Sequence, residues 1–247
     1  MYLPRTFTVN NLSVLHELME THRFATIYSQ SGGESIASHL PFMVDRSRGE
    51  HGTLIAHFAR ANKHWKHFEE EAGALVVFQG PHAYISPAWY EDQVTVPTWN
   101  YAVVHAYGQP ALIHEPGPLR EMVLRLVGVH EGPADSDWDV EMAGPVMERE
   151  LKAIVGFEIE IERIEGKFKF NQNRSKADQA GVARHLSRSA DPSEQAVSRI
   201  MLENVKAKQA DAGQPAEVGA SLAGNFTAEP GAGVKADSPE NSRRDGE

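Results

Sequence analysis

The chain of 247 residues contains no cysteine. This absence excludes disulfide frameworks, cysteine-ligated zinc, iron–sulfur clusters and thiol catalysis. Basic residues are also scarce, because 24 Lys and Arg face 34 Asp and Glu. The resulting charge of −10 excludes a strongly basic nucleic-acid binder at the level of the whole chain. No apolar run approaches the roughly 18 residues of a membrane span, and residues 1–12 do not read as a signal peptide. We therefore expect a cytoplasmic protein without a membrane partner.

Several motifs of known chemistry are missing as well. The sequence has no glycine-rich dinucleotide or P-loop fingerprint, no HExxH zinc motif and no Gly-x-Ser-x-Gly elbow. His64 and His67 lie three residues apart on a predicted helix and could present one face to a metal. We favour the simpler interpretation that both are solvated, while Trp65 and Phe68 turn inward. We predict no metal and assign no catalytic residue.

The composition changes once, near residue 205. The body is 41% hydrophobic by overall composition, enough for a real core, whereas Ala, Gly, Pro, Ser and charged residues dominate the end of the chain. Such a segment buries too little apolar surface to offset its conformational entropy. We predict a folded domain over 1–205, ending in helices, and a disordered Ala/Gly/Pro-rich tail over 206–247.

Strand-like runs dominate the folded body. A Ser31-Gly-Gly-Glu turn joins a strand over 24–29 to one over 35–44, and a second turn leads to a strand over 53–59. These loops are too short for a crossover helix, so the strands must be antiparallel. Residues 101–113 form one further predicted strand, and alternation over 155–161 predicts a strand with one wet face. The predicted fold is mainly β with helices (α+β), an antiparallel β-barrel with C-terminal helices.

Three segments combine polar and aromatic residues in a way that suggests a ligand site. The first joins Ser38-His39-Leu40-Pro41 to residues 56–65, where a strand end delivers N–H donors and positive charge suited to a phosphate: Arg60, Asn62, Lys63 and His64. The others are residues 78–90 and 96–105, in which Trp and Tyr alternate with Asn, Thr and Ser, as in a flat aromatic site. Each segment alone is more typical of core and turn than of a ligand site. Their place on neighbouring strands favours a shared pocket.

A basic segment stands out in this acidic chain. Between Arg163 and Arg188, seven Lys and Arg accompany two acidic residues, a net charge of +5. The segment could contact phosphate or DNA, or could form a solvated helix face.

The same segments resemble the PaiB-type FMN-binding proteins, often described as negative transcriptional regulators. The resemblance runs from Met1 to about Leu186. Its motifs are Ser38-His-Leu-Pro, His57-x-Ala-Arg-Ala-Asn-x-x-Trp65, the stretch 78–90, Val96-Pro-Thr-Trp-Asn-Tyr101, Ile154-Val-Gly-Phe-Glu-Ile and Gln172-Asn-Arg174. One departure is Phe170-Asn171, where the family pattern has Leu-Ser.

This resemblance implies a flavin-reductase-like split barrel that forms a homodimer and binds FMN non-covalently at the dimer interface. It implies that Ser38, His39 and Leu40 lie along the isoalloxazine or ribityl, and that the phosphate side is approached by His57, Arg60, Asn62 and Lys63, beside Trp65. It further implies that the ring is bordered by Thr98, Trp99 and Asn100, from the partner subunit, and that the pocket is closed by Gln172, Asn173 and Arg174.

Two classes of function remain open at this point. The family description implies a flavin-binding negative transcriptional regulator with DNA as a partner, although the last two helices lack a clear helix-turn-helix signature. The alternative is an FMN-dependent oxidoreductase or flavin reductase, in which the cofactor carries the chemistry. A weaker alternative is a haem-handling protein on the same barrel.

Overall fold

The computed structural model describes residues 1–70, 72–91, 93–131, 138, 140 and 144–210. Its strands are β1 Thr8–Val9, β2 Phe24–Ser31, β3 Glu34–Pro41, β4 Met43–Asp45, β5 Thr53–Ala59, β6 Ala74–Ile85, β7 Thr98–Gly108, β8 Pro110–Ile113, β9 Ile154–Glu160 and β10 Arg163–Lys169. Its helices are α1 Leu12–Thr21, α2 Lys66–Glu69, α3 Pro116–Glu131, α4 Gly144–Leu151, α5 Lys176–Leu186 and α6 Pro192–Ala210. Short 3-10 turns cover Arg5–Phe7, Lys63–Trp65 and Pro87–Trp89.

The strands form two antiparallel sheets. Six strands pair in the order β1-β10-β7-β6-β2-β3, and four pair in the order β4-β5-β9-β8. The predicted hairpin is present between β2 and β3, with Gly32 and Gly33 at positive φ in the turn. The antiparallel architecture with helices at its margins confirms the predicted fold class.

One continuous core fills the space between the sheets. It combines alternate residues of the strands with one face of α1, where Leu15, Leu18 and Met19 are buried. Asn10-Asn11 precedes the apolar stripe of α1, so the sequence predicts that one of the two caps this helix; the Asn11 side chain does so, because it accepts a hydrogen bond from the Val14 N–H. A second, smaller cluster lies on the other side of the four-stranded sheet, between β5 and the helices α3 and α4.

Two predicted strands are each divided in the structure. The predicted strand over 35–44 ends at Pro41, and the Phe42 N–H donates to the Arg23 carbonyl before β4 begins in the other sheet. The predicted strand over 101–113 divides between Gly108 and Pro110 in the same way. The single-strand predictions were wrong because an apolar run does not show where a chain leaves one sheet for another. The predicted strand over 155–161 is present as β9, and its wet face is covered only at Gly156, which lies against Leu119 and Met122 of α3, whereas Glu160 on the same face is exposed.

Ser175 with Asp178, and Asp191 followed by Pro192, predict the starts of the last two helices, and both caps are present. Ser175 accepts a hydrogen bond from the Asp178 N–H, and Asp191 accepts from the Ser193 N–H. Helix α6 continues to Ala210, five residues into the predicted tail, and residues 211–247 lie outside the described residues. Within the described part of the chain, no helix is long and apolar enough to cross a membrane.

Candidate functional site

The first predicted segment contains a buried chain of hydrogen bonds. Ser38 accepts from the Asn62 side-chain amide at 3.0 Å and lies 2.9 Å from Nδ1 of His64. On the other side of the imidazole, Nε2 lies 2.9 Å from the Ser29 hydroxyl, which in turn lies 2.9 Å from Nδ1 of His67. Asn62 also accepts from the His64 N–H, which fixes the orientation of its amide. We call Asn62, Ser38, His64, Ser29 and His67 the buried network.

This network corrects the interpretation of the two histidines as solvated. His64 is 1% exposed, and its ring packs against Phe58 and Phe68 with centroids 5.3 Å away in each case. Burial, together with the neighbouring His67, lowers the pKa of His64 to about 4, so its ring is neutral at pH 7. The segment buries these histidines because Ser29, on β2, supplies a polar partner on the inward face of the barrel.

The other residues of the first segment point in several directions. The Arg60 guanidinium donates to the main-chain carbonyls of Lys152 and Ile154, at 2.9 and 2.7 Å. The Trp65 indole N–H donates to the Arg60 carbonyl, which makes this turn rigid. Lys63 is exposed at the start of the turn. His57 lies on the α3 side of β5, where burial lowers its pKa and its Nδ1 has no partner among the described residues. The structure therefore brings Ser38 and Asn62 into contact, places Trp65 at the end of the same turn and places His57 on another face.

His39 and Leu40 occupy opposite faces of β3. Leu40 packs against the core, whereas His39 is exposed on the outer face of the six-stranded sheet. There His39 accepts from or donates to the Thr26 hydroxyl at 3.0 Å and stacks near Phe24. Large exposed aromatic side chains share this outer face: Phe24, Tyr28, Tyr84 and Trp99.

The second group of predicted residues begins β7. Trp99 is 54% exposed and meets Tyr84 edge-on at a centroid distance of 5.9 Å. Thr98 accepts a hydrogen bond from the Lys169 ammonium. Asn100 lies on the inward face, fully buried, and its amide N–H₂ points to the sulfur of Met201 on α6. Of the three residues at the start of β7, Thr98 and Trp99 therefore reach the surface.

The turn after β10 holds the last three predicted residues. The Gln172 amide is folded back on its own loop, where it accepts from the Phe170 N–H and donates to the Phe168 carbonyl. Asn173 is exposed. Arg174 donates to the Thr95 hydroxyl at 2.6 Å and lies 5.1 Å from the centre of the Tyr90 ring.

The first group of predicted residues, around Ser38, His39 and Asn62, does not meet the second group, around Thr98 and Trp99, within one chain. The register places His39 beside Thr26, Val77 and His105 in successive strands, and His105 lies five residues along β7 from Asn100. The separation is roughly 17 Å along the strand and about 14 Å across the sheet. Two surface pockets of the chain, of about 420 and 240 Å³, are lined by none of the predicted residues.

Sequence reasoning missed three residues that these contacts bring into the site. Ser29 could have been found as a polar residue on the inward face of an alternating strand. Lys167 and Lys169 belong to the basic segment, but the sequence alone does not distinguish them from its exposed members. Among the described residues, no group of three or more His, Asp or Glu side chains has the arrangement of a metal site.

The comparison with known proteins decides the family. A family model described as "Putative FMN-binding domain" matches residues 1–163. The chain belongs to this family. It is also 35% identical over 208 residues to the "Protease synthase and sporulation protein PAI 2" of Bacillus subtilis, covering 83% of this chain and 99% of the relative. A yeast protein of uncharacterized function, YKL070W of Saccharomyces cerevisiae, is 32% identical over 173 residues, covering 61% of this chain and 90% of that protein. The resemblance to PaiB-type proteins is confirmed, and with it FMN as the cofactor.

Solved structures agree on the fold. The flavocytochrome Anf3 of Azotobacter vinelandii aligns with a TM-score of 0.53 at 15% identity, over 68% of this chain and 72% of that chain. The conserved hypothetical protein Rv2991 of Mycobacterium tuberculosis aligns with a TM-score of 0.51 at 10% identity, over 70% and 92% of the two chains. These neighbours confirm the split-barrel fold.

The side chains present suit FMN. A flavin offers a flat apolar ring, polar ring edges and an anionic phosphate. Trp99 supplies an exposed aromatic surface, Asn62 and Asn173 supply amides, and Lys63, Lys169 and Arg174 supply positive charge. This donor set matches the ligand, but it is divided between two places on the chain.

Proposed function

We propose that the protein acts as a cytoplasmic homodimer that holds FMN between the first group of one subunit and the second group of the other. In this arrangement His39, Asn62 and Lys63 belong to one wall of each FMN site, with Arg60 and Trp65 in the adjoining turn and the Ser38 hydroxyl behind it, whereas Leu40 and His57 face away from it. The opposite wall comes from the partner and contains Thr98, Trp99, Asn173 and Arg174, with Asn100 and Gln172 buried behind it. We further propose that the dimer is a negative transcriptional regulator whose DNA binding depends on FMN.

The separation of the two groups carries this proposal. A single chain leaves them on opposite parts of one sheet, whereas a two-fold axis through the outer face would place the first group of each subunit opposite the second group of the other. The exposed aromatic residues on that face favour its burial. Trp99 and Phe24 are 54% and 71% exposed, and large exposed aromatic residues are enriched at interfaces.

In the proposed site the protein binds and orients the cofactor. When bound, FMN supplies hydride and electron transfer chemistry or a redox-sensitive shape. The buried network fixes the Ser38 hydroxyl from behind, and the exposed Trp99 ring offers a surface on which the flavin ring can lie. Lys63 and Asn62 provide charge and an N–H donor for the phosphate end.

The regulatory output is favoured by one observation. The Bacillus relative is named for protease synthesis and sporulation, which suits control of a cellular programme better than one metabolic conversion.

A subunit-mixing experiment tests the shared site. The double variant Asn62→Ala/Lys63→Ala alters only the first wall, and Thr98→Ala/Asn173→Ala alters only the second, so we expect each homodimer to lose FMN affinity at least tenfold. Unfolding and refolding an equal mixture should restore wild-type affinity in about a quarter of all sites, because half the dimers are mixed and each of these has one intact site. Recovery of no sites would contradict the shared arrangement.

The proposed regulatory function is tested on the FMN-loaded wild-type dimer. Capture of genomic fragments at physiological salt should enrich a defined set of sequences with FMN bound, and lose that enrichment without it. Bleaching of the flavin absorption by NADPH in the absence of any enriched DNA would instead establish the oxidoreductase.

A further inference from the structure

Part of the basic segment converges on one place in the fold. Lys167 and Lys169 both point to the outer face of β10, and Arg174 follows in the next turn. Burial and the positive charges of Lys167 and Arg174 all lower the pKa of Lys169, because each of them disfavours its protonated form. We call Lys167, Lys169 and Arg174 the cation cluster.

The cluster is enclosed by aromatic rings and hydroxyl groups. Lys167 is only 9% exposed, with its ammonium 5.2 Å from the Tyr2 ring centre and 5.5 Å from that of Tyr101. Lys169 donates to the hydroxyl of Thr98, the neighbour of the exposed Trp99. Arg174 donates to the hydroxyl of Thr95 and lies over Tyr90.

The cations have no anionic partner within the described part of the chain. No described carboxylate lies within 4.0 Å of their charged nitrogens. The nearby Asp178 instead accepts from the Glu91 N–H. Arg163, on the same strand, shows the contrast, because it pairs with Glu165 and stacks on Tyr107. Half-buried like charges repel and are costly to desolvate, so a group of cations that has only neutral hydroxyl acceptors as partners is the arrangement of an anion site.

We propose that the cation cluster binds the anionic group, phosphate or carboxylate, of a small molecule at the edge of the flavin site. The inference extends the proposed function, since Thr98, Trp99 and Arg174 form the second wall of that site. Two sources share this chemistry: the phosphate of FMN itself, and a separate anionic substrate or effector bound next to FMN.

Thermal unfolding of the full-length protein with inorganic phosphate as the probe tests the site. Ligand that binds only the folded state raises the unfolding temperature. The informative variants are Lys169→Gln and Arg174→Gln, and the matched control is Lys176→Gln, which removes the same charge from an exposed position at the start of α5. Sodium chloride at equal ionic strength corrects for screening.

We expect phosphate to raise the unfolding temperature of the wild type and of Lys176→Gln, and to leave Lys169→Gln and Arg174→Gln unshifted. Without phosphate, Lys169→Gln should unfold at the same temperature as the wild type or higher, because one of three repelling charges is gone. The proposal is overturned if phosphate does not raise the unfolding temperature of the wild type, or raises that of Lys169→Gln equally, and Lys169→Gln discriminates between FMN and riboflavin as strongly as the wild type does.

Two further titrations separate the sources of the anion. If phosphate still raises the unfolding temperature of FMN-saturated protein, the site takes a separate anion. If FMN abolishes the phosphate response, and Lys169→Gln weakens FMN at least tenfold more than riboflavin, the site takes the FMN phosphate. A wild type that responds to phosphate through Lys169 but binds neither flavin would keep the anion site and refute the proposed function.

Discussion

The buried network and the cation cluster satisfy their polar groups in opposite ways. The network joins its side chains by four hydrogen bonds, with a fifth from the His64 main-chain N–H to Asn62, and leaves His64 neutral. The cation cluster holds three positive charges with neutral hydroxyl acceptors and rings around them, and with no described carboxylate in contact. The network is therefore complete within one chain, whereas the cluster is completed only by something that binds. The buried network therefore consists of residues that stabilise the site, whereas the cation cluster consists of residues that we propose bind a ligand.

The largest effect is expected from removing the centre of the network. His64→Ala deletes a buried ring and leaves the hydroxyls of Ser29 and Ser38 without their partner, so we expect a loss of about 3 kcal/mol in the free energy of unfolding. His39→Ala is the matched control, because this exposed histidine also bonds one hydroxyl, and it should change stability by no more than about 0.5 kcal/mol. Urea unfolding measures both. Equal losses of unfolding free energy in His64→Ala and His39→Ala would show that the network stabilises the fold no more than an exposed histidine does.

A pH titration of stability distinguishes the network from the exposed groups. The pKa of His64 is about 4 in the folded state, against 6.5 for an unperturbed histidine. Between these values the unfolded chain binds a proton that the folded chain excludes, so stability falls as pH falls, by about 1.4 kcal/mol per pH unit. Above pH 6.5 this contribution is constant. The difference in unfolding free energy between wild type and His64→Gln isolates the contribution of His64 from that of the other histidines. Parallel curves of unfolding free energy against pH for the two proteins between pH 4 and 6.5 would contradict the prediction.

Arg60 offers a further comparison with the cation cluster, because its guanidinium already donates hydrogen bonds to two main-chain carbonyls. Arg60→Met leaves the carbonyls of Lys152 and Ile154 without their donor, so we expect a loss of about 1–2 kcal/mol in unfolding free energy. Lys169→Gln, which removes an unsatisfied cation, should cause no loss. An FMN titration of the same Arg60 variant examines its predicted role at the phosphate. Unchanged affinity would show that the guanidinium serves the fold alone.

The sequence predicted what depends on neighbours along the chain. The Ser31 turn, the alternation in β9 and the caps at Asn11, Ser175 and Asp191 are all local, and each is present. The divisions at Phe42 and between β7 and β8 were not predictable, because a strand that changes sheets keeps the same apolar pattern. The long motifs identified the family and its cofactor, since their order along the chain is far more specific than any single residue.

The contacts within the site were harder to predict from the sequence, because the residues that form them lie far apart along the chain. His64 is paired with Ser29, 35 residues away, so its burial could not be read from its own helix. The basic segment looked uniform, yet Arg163 is paired, Lys169 is enclosed and Arg184 is exposed. Only the sheet register shows that the two groups of predicted FMN residues occupy different places.

The smallest effect on the folded chain is expected at Trp99. Its side chain is 54% exposed and touches mainly Tyr84 and His82, so Trp99→Ala should change the unfolding free energy of the monomer by no more than about 0.5 kcal/mol. The proposed dimer should nevertheless weaken at least tenfold, since an aromatic residue central to an interface contributes about 2 kcal/mol or more. Light scattering across a dilution series measures dissociation, with Trp138→Ala as a control at another exposed tryptophan. A dimer unaffected by Trp99→Ala would place the interface on another face and remove the partner's wall from the FMN site.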